Sequence, residues 1–458
     1  MMRLRAWWEY LRGTYWAVPS AMAMAAVVLS FGMIQLDEAV TAALLDRLSW
    51  VYTGGPEGAR AVLSTIAGSM ITVAGVTFSI TIVALTLASQ QFGPRLLRNF
   101  LRDLGNQIVL GTFVSTFLYC LLVLRTIRGT DDSEFVPHLA VTLGVVLAML
   151  SLGVLIFFIH HVATSIQASR IIAKVASDLE VAANHLFPDR LGQADTDVTE
   201  DAGPAAFVSA GAGDSRTVRA TMAGYVQAID GERLMAVARE QDVSLRLHVK
   251  PGAFVRNGTV LMTVCASTFR DKWTDGPFRS VVIVGAERTG TQDIEFFINQ
   301  LVELAVRALS PGINDPATAR SCIDRLEQAL CNLASRRFPS PIREDAEHTP
   351  RVFACSVTFA TLIDSAFSEI GRYGQSSVSV TGRLLEAIRN ISACVTRDVD
   401  RRPLAAQAAA IVERSRRAEM ATCDRDRIEE RYEKARTALY DAKEPSRQGS
   451  GALRSTPP

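Results

Sequence analysis

From Ala61 to Pro94 the chain contains no Asp, Glu, Lys, Arg or His. If that run is helical at 1.5 Å per residue it is roughly 50 Å long, more than the ~30 Å hydrocarbon core of a bilayer. Water cannot host so long an apolar rod unless a large protein core surrounds it, so the run predicts a membrane span that tilts or outlasts the bilayer. Its core is Ile66 to Ser89. Three more runs are long enough to cross: Ala17 to Leu36, Gln107 to Leu124 and Leu139 to Ile159.

Composition supports a division into two parts. The chain is 48% hydrophobic and 21% charged, with the apolar residues crowded into the first third and the charges filling the rest. A formal net charge of +1 offers neither the basic footprint of a nucleic-acid binder nor an acidic scaffold, so the expected partner is the lipid bilayer and nucleic acid is excluded. The seven cysteines (Cys120, Cys265, Cys322, Cys331, Cys355, Cys394, Cys423) form no CxxC pair and are odd in number, which reads as free thiols in a reducing compartment. The N-terminal "MMRLRAWWEYLRGTYW" has the charge pattern of a signal peptide, but the apolar run after it is too long, and it is read as leading into an uncleaved first span.

Short-loop charges give the orientation. Arg3, Arg5 and Arg12 precede the first span, Arg95, Arg98 and Arg102 follow the second, and Arg170 and Lys174 follow the fourth. The opposite loops carry Asp37, Glu38, Asp46 and Glu57, then Asp131, Asp132 and Glu134, with Arg125 and Arg128 as the exceptions. The positive-inside rule then puts both termini in the cytoplasm, with residues 1–164 as a four-helix transmembrane domain. Trp7, Trp8, Tyr10, Tyr15 and Trp16 read as an interfacial aromatic belt.

Beyond the membrane part, residues 165–217 read as an amphipathic exit helix followed by a Gly-, Ala- and Asp-rich flexible linker. Its "GAGDS" lacks the Lys and Ser/Thr of a phosphate loop. Val218 to Ala266 alternates apolar and polar residues between Gly and Pro-Gly punctuation, so residues 218–268 are expected to form a small β-domain. Its "AGYVQAID" and "VKPGAFVRNGTVLMTV" resemble the half-motifs of biotinyl and lipoyl carrier domains, but the modified lysine is absent, and a barrel-sandwich spacer is the expectation. Residues 269–400 alternate strand-like and helical segments, an α+β domain, and 401–458 read as charged helix and disordered tail.

"SMITVAGVTFSITIVALTLASQQFGPRLLRNFLRDLGNQIVLGTFVSTFLYCLLVLRTIR" and "ERTGTQDIEFFINQLVELAVRALSPGINDPATARSCIDRL" together resemble the bacterial membrane proteins grouped as domain-of-unknown-function family 2254. The resemblance covers nearly the whole chain. It implies a four-span inner-membrane protein with a cytoplasmic domain, and it brings no activity or catalytic residues.

Functional residues must therefore be argued from chemistry. Thr72, Gly75, Ser79 and Thr86 share one face of the second span, extended by Gly68 and Gln90. Small residues permit close helix approach and hydroxyls can bond across helices, so the stripe serves packing; alternatively, several copies turn it toward an axis where hydroxyls solvate a passing ion. In the third span Gly111, Ser115, Thr112, Thr116 and Tyr119 form a second small, polar face, expected to pair closely with the second span. Between them "QQFGPRLLRNFLRDLGNQ" reads as a basic elbow, with Arg95, Arg98 and Arg102 anchoring to anionic headgroups or forming an electropositive vestibule. No ionisable residue lies at the centre of a span, which counts against proton-coupled carriers. His160 and His161 are expected at the membrane interface, with no metal site.

In the cytoplasmic part Glu287, Arg288, Gln292, Asp293, Asn314, Asp315 and Asp324 are the candidates for a ligand site or interface, competing with roles as helix caps and ion pairs. No nucleophile with a base, no metal pattern and no cofactor motif accompanies them, so no enzymatic activity and no cofactor are expected. The reading is an oligomeric membrane protein, either a passive ion channel with a cytoplasmic vestibule or sensor domain, or a non-conducting scaffold or signalling protein binding an unknown ligand or partner.

Overall fold

The computed structural model describes residues 16–39, 52, 54–92, 103–130, 133–165, 167–187, 214–266 and 273–441. The chain forms two compact units, Met1–Ile171 and Ile172–Pro458.

In the first unit, α1 (Ala17–Ala39), α2 (Pro56–Phe92), α3 (Leu104–Leu124) and α4 (His138–Ser165) are long and apolar enough to cross a membrane. A short hairpin of β1 (Arg128–Thr130) and β2 (Ser133–Phe135) joins α3 to α4. The bundle is centred on α3, which packs against the other three helices; its most apolar stretch is 44% buried, against 17–22% in the others. Gly111 explains part of that centrality. A Cβ there would lie 2.5 Å from the Met22 sulfur and 3.2 Å from the Pro19 Cα, so α1 and α3 approach closely at this glycine and a larger residue would have to displace the Met22 side chain and shift α1. Thr116 shares a hydrogen bond with Ser151 of α4 (3.2 Å), and the Tyr119 hydroxyl donates to the Ala140 carbonyl (2.9 Å).

The small, polar face of α3 is thus used on α1 and α4 as well as on α2, where Tyr119 shares a buried cluster with Ala59, Leu63 and Ala67. Elsewhere along the α2–α3 contact Ala74 and Ala84 pack with Val109 and Phe113. Asp37 also departs from its sequence reading as a loop charge. It is buried, and its carboxylate accepts the backbone N–H groups of Leu139 (2.9 Å) and Ala140 (2.8 Å), satisfying otherwise orphaned donors at the positive end of α4. At the same end, His138 Nδ1 lies 2.7 Å from the Tyr52 carbonyl and the Tyr52 N–H donates to Thr142 Oγ1 (2.9 Å).

The second unit includes most of α5 (Ala168–Leu186), whose Ile172, Val175, Leu179 and Ala183 form one buried stripe. Its strands are β3 (Asp214–Arg219), β4 (Gly224–Ile229), β5 (Ser244–Leu247), β6 (Phe254–Val255), β7 (Val260–Ala266), β8 (Val282–Gly285), β9 (Ile342–Glu344) and β10 (Pro350–Phe353). They make a five-stranded sheet of order β3-β7-β5-β10-β9 and a three-stranded sheet β6-β4-β8, antiparallel except for β10 beside β5. Both sheets feed one core: Val218, Leu245, Val264 and Val352 from the first, Val226, Val255 and Val282 from the second.

Two differences from the sequence reading have a clear cause. "GERLMAVAREQ", inside the expected β-domain, is helix α6 (Gly231–Gln241), because Asp230 caps it by accepting the Arg233 N–H (3.0 Å) and Leu234, Val237 and Ala238 bury at helical spacing. The β-domain also extends past residue 268, since β8 and the distant β10 complete its sheets. Pairing between strands about a hundred residues apart has no local signature.

A helical layer follows: α7 (Gly276–Arg279), α8 (Ile294–Ala308), α9 (Pro316–Ala334), α10 (Phe359–Tyr373), α11 (Val378–Cys394), α12 (Arg401–Arg417) and α13 (Thr422–Asp441). Helix α8 packs on α9 and α10, α9 on α11, and α12 and α13 close over α10 and α11. The charged segment up to Asp441 is therefore two helices, and the tail expected to be disordered, from residue 442, lies outside the described residues.

Candidate functional site

The stripe on α2 is the most unusual surface of the first unit. The helix buries Ala59, Leu63, Ala67, Ala74, Thr77, Thr81 and Ala84 within its own bundle. At 100° per residue that face is centred about 160° from the line of Gly68, Thr72, Gly75, Ser79, Thr86 and Gln90. All six stripe residues are exposed, and a Cβ added to Gly68 or Gly75 meets nothing within 4 Å. Aliphatic and aromatic shoulders run alongside, Ile71, Phe78 and Ile82 on one flank and Val76, Val83 and Leu87 on the other. Packing inside the protomer therefore does not account for the stripe. Its hydroxyls are not starved of partners: Thr72 donates to the Gly68 carbonyl (2.8 Å) and Thr86 to that of Ile82 (2.9 Å). Back-bonding of this kind lets a hydroxyl sit in an apolar setting at little cost, while the oxygen can still accept a further bond.

At the opposite end of the first unit from Asp37, His161 Nε2 lies 2.7 Å from Asp103 Oδ2, and Asp103 Oδ1 accepts the Gly105 N–H (2.8 Å) to cap α3. The His161 ring stacks on Phe157 at 5.3 Å. His161 is therefore a packed, paired residue and not merely an interfacial one. One turn on, Asn106 is buried with neither side-chain atom hydrogen-bonded among the described residues. Arg95, Arg98 and Arg102 of the basic elbow lie outside the described residues.

In the second unit the predicted polar residues fall into separate roles. Arg288 Nε donates to Asp293 Oδ2 (2.6 Å), while Lys250 Nζ bridges both oxygens of Glu295 (3.0 and 2.9 Å). Gln292 mimics a strand neighbour, accepting the Ile229 N–H (2.9 Å) and donating to the Ile229 carbonyl (3.2 Å). Gln227 Nε2 donates to the Glu287 carbonyl (2.9 Å). The "KPG" turn completes this group: Gly252 has φ +87°, and a Cβ there would lie 2.1 Å from Asp293 Oδ2. Glu287, Arg288, Gln292 and Asp293 are thus brought together, joined by Lys250 and Glu295, as a staple between β4 and the start of α8. Lys250 and Glu295 escaped the sequence reading; the one available signal was a carboxylate beside Ile294 at the start of an amphipathic helix.

Asn314 sits in the tight turn at φ +48°. Asp315 caps α9, accepting the N–H groups of Ala317 and Thr318 (3.1 Å each) and the Thr318 hydroxyl (2.6 Å). The Thr318 bonds hold its carboxyl below the usual range. Asp324 instead accepts from Arg383 Nε (2.7 Å), tying α9 to α11 beside Glu327. Among the described residues no group of three His, Cys, Asp or Glu side chains is placed to hold a metal ion.

The four helices long and apolar enough to cross a membrane agree with what a family comparison finds. The model of the family described as predicted membrane protein (DUF2254) matches residues 12–390. This chain belongs to the DUF2254 family. Uncharacterized proteins of Mycobacterium bovis and Mycobacterium tuberculosis are each 33% identical to it over 425 residues, covering 92% of this chain and 79% of the relative. No solved structure matches significantly. The family match includes every DUF2254 candidate residue named above and ends within α11, so α12 and α13 lie beyond it.

Proposed function

We propose that this DUF2254 protein is a homo-oligomer of the bacterial inner membrane, with both termini cytoplasmic, in which the α2 stripes of neighbouring copies face one another and border a passive ion pathway. The observation that carries the reading is the outward direction of Gly68, Thr72, Gly75, Ser79 and Thr86, opposite the face that packs in the protomer. Lipid has no use for a line of glycines and hydroxyls between two apolar shoulders, whereas a second helix gains close approach from it. Charge-free hydroxyl oxygens can coordinate an ion without trapping it. The second unit serves as vestibule or sensor, its two-sheet segment acting as a barrel-sandwich-like spacer.

Purified protein in liposomes tests this directly. Wild type is expected to carry ion flux under tension, voltage or a gradient, and Thr72→Leu/Ser79→Leu to abolish it. Absence of flux in wild type, or equal flux in the double variant, removes the pathway. The back-bonded Thr72 and Thr86 hydroxyls favour a second reading, in which the stripe makes a dry oligomer contact and the protein is a non-conducting membrane scaffold or signalling protein. A Ser79→Cys variant that crosslinks between copies without flux selects that reading.

A further inference from the structure

A polar cavity of about 440 Å³ lies between α5 and α9 in the second unit. One wall is the outer face of α5, with Ser177, Glu180 and Asn184; the other is α9 and the residue just past its end, with Arg325, Asn332 and Arg336. Asn184, Asn332 and Arg336 are tied together. Arg336 Nε donates to Asn332 Oδ1 (3.0 Å), one terminal nitrogen donates to Asn184 Oδ1, and the other to the Phe187 carbonyl just past the end of α5.

The electrostatics of this group are unbalanced. Arg336 is only 7% exposed, yet every acceptor it meets is neutral, and no carboxylate lies within ion-pair distance of it among the described residues. Arg325 likewise bonds only to the neutral Gln328 Oε1 (3.1 Å). A buried guanidinium without a counter-charge is expensive, and the partial negative charge at the C-terminal ends of α5 and α9 offsets only part of that cost. Guanidinium groups carry five N–H donors, of which the Arg336 contacts use three, so donors remain. The cavity size is that of a small-molecule site. Elsewhere in the same unit the partly buried arginines Arg288, Arg351 and Arg383 each have a carboxylate within hydrogen-bond reach, which Arg336 lacks.

We propose that this cavity is a binding site for a small organic oxyanion, a phosphate or carboxylate held by Arg325 and Arg336, with the amides of Asn184 and Asn332 selecting polar groups on the rest of the ligand and the Glu180 carboxylate in the cavity wall opposing further negative charge. Planar, multi-donor guanidinium groups match such anions in geometry as well as charge. Because the two walls belong to α5 and α9, the bound anion clamps the helix that follows α4 in the chain to the helical layer. The site stands apart from the conduction proposal, since it requires no flux.

Full-length protein in nanodiscs, titrated calorimetrically with a nucleoside monophosphate and, separately, with a dicarboxylate at fixed ionic strength, tests the proposal and distinguishes the two anion sources. Saturable binding of at least one probe is expected. The exposed Arg325→Glu change should weaken it roughly tenfold or more while the melting temperature without ligand stays at the wild-type value. Glu180→Gln, which removes the like charge, should tighten it severalfold. Failure of both probes to bind wild type overturns the proposal, as does binding that is unchanged in both the Arg325→Glu and Glu180→Gln proteins.

Discussion

Two helices of the membrane unit carry nearly the same kind of face, and they use it in opposite ways. On α3, Gly111 lies against Pro19 and Met22 of α1 while Thr116 bonds to Ser151 of α4, so small and polar residues bring three helices together inside one protomer. On α2, Gly68 and Gly75 open onto empty surface and Thr72, Ser79 and Thr86 point away from the bundle. Composition cannot tell these faces apart, because both satisfy the rule that small residues mark helix contacts. What distinguishes them is that only the α3 face meets partner helices within the chain itself.

That contrast can be broken by substitution. Gly111→Leu should have the largest effect, since its side chain must displace Met22 and the α1 backbone; loss of folded protein, or destabilisation of about 3 kcal/mol or more, is expected in detergent melting curves. Gly75→Leu, the matching change on α2, should leave the monomer's melting temperature within a degree or two of wild type and abolish crosslinking between copies through Ser79→Cys. If Gly75→Leu destabilises the protomer as much as Gly111→Leu does, the two faces are not different in kind.

Smaller effects sharpen the picture. Asn106→Leu removes a buried amide without partners, and should raise stability by about 1–2 kcal/mol, read as an increase in melting temperature. Asp315→Ala removes the cap of α9 at a cost of about 1 kcal/mol. Its pH dependence has a definite sign. The folded-state pKa of Asp315 is depressed, so its contribution is fully present above the ordinary carboxylate range near 4 and is lost as pH falls through the lower folded value. Wild type and Asp315→Ala should therefore converge in stability at strongly acidic pH. Thr116→Val/Ser151→Ala in a double-mutant cycle should give the smallest coupling, about 0.6 kcal/mol.

Legibility differed between the two units. All four spans could be located, although the second helix starts at Pro56, ten residues before the expected Ile66, because crossing hydrocarbon demands a long charge-free helix and little else produces one. The helix caps at Asp293, which accepts the Phe296 N–H of α8 (3.3 Å), and at Asp315 were also local enough to anticipate. Asp37 was not, because its partners at Leu139 and Ala140 are about a hundred residues away and nothing in "QLDEAV" announces them. Helix α6 was hidden for a different reason: a short helix of only moderate apolar content between strands looks like one more alternating run until its buried face has a sheet to rest on. Lys250 and Arg336 were passed over because each depends on a distant acceptor for its role.

The sequence by itself determined that this chain carries four helices long and apolar enough to cross a membrane, followed in the chain by a mixed α and β unit, and that it belongs among the DUF2254 proteins. These properties follow from local hydropathy, charge and motif, each written within a few dozen residues. Only the tertiary structure decided that the α2 stripe faces outward, that β10 completes a sheet begun more than a hundred residues earlier, and that Arg325 and Arg336 line one cavity while bonding only to neutral acceptors. Direction, pairing and charge balance depend on which residues become neighbours in space, and hydrophobic periodicity specifies that a face is buried without naming what buries it.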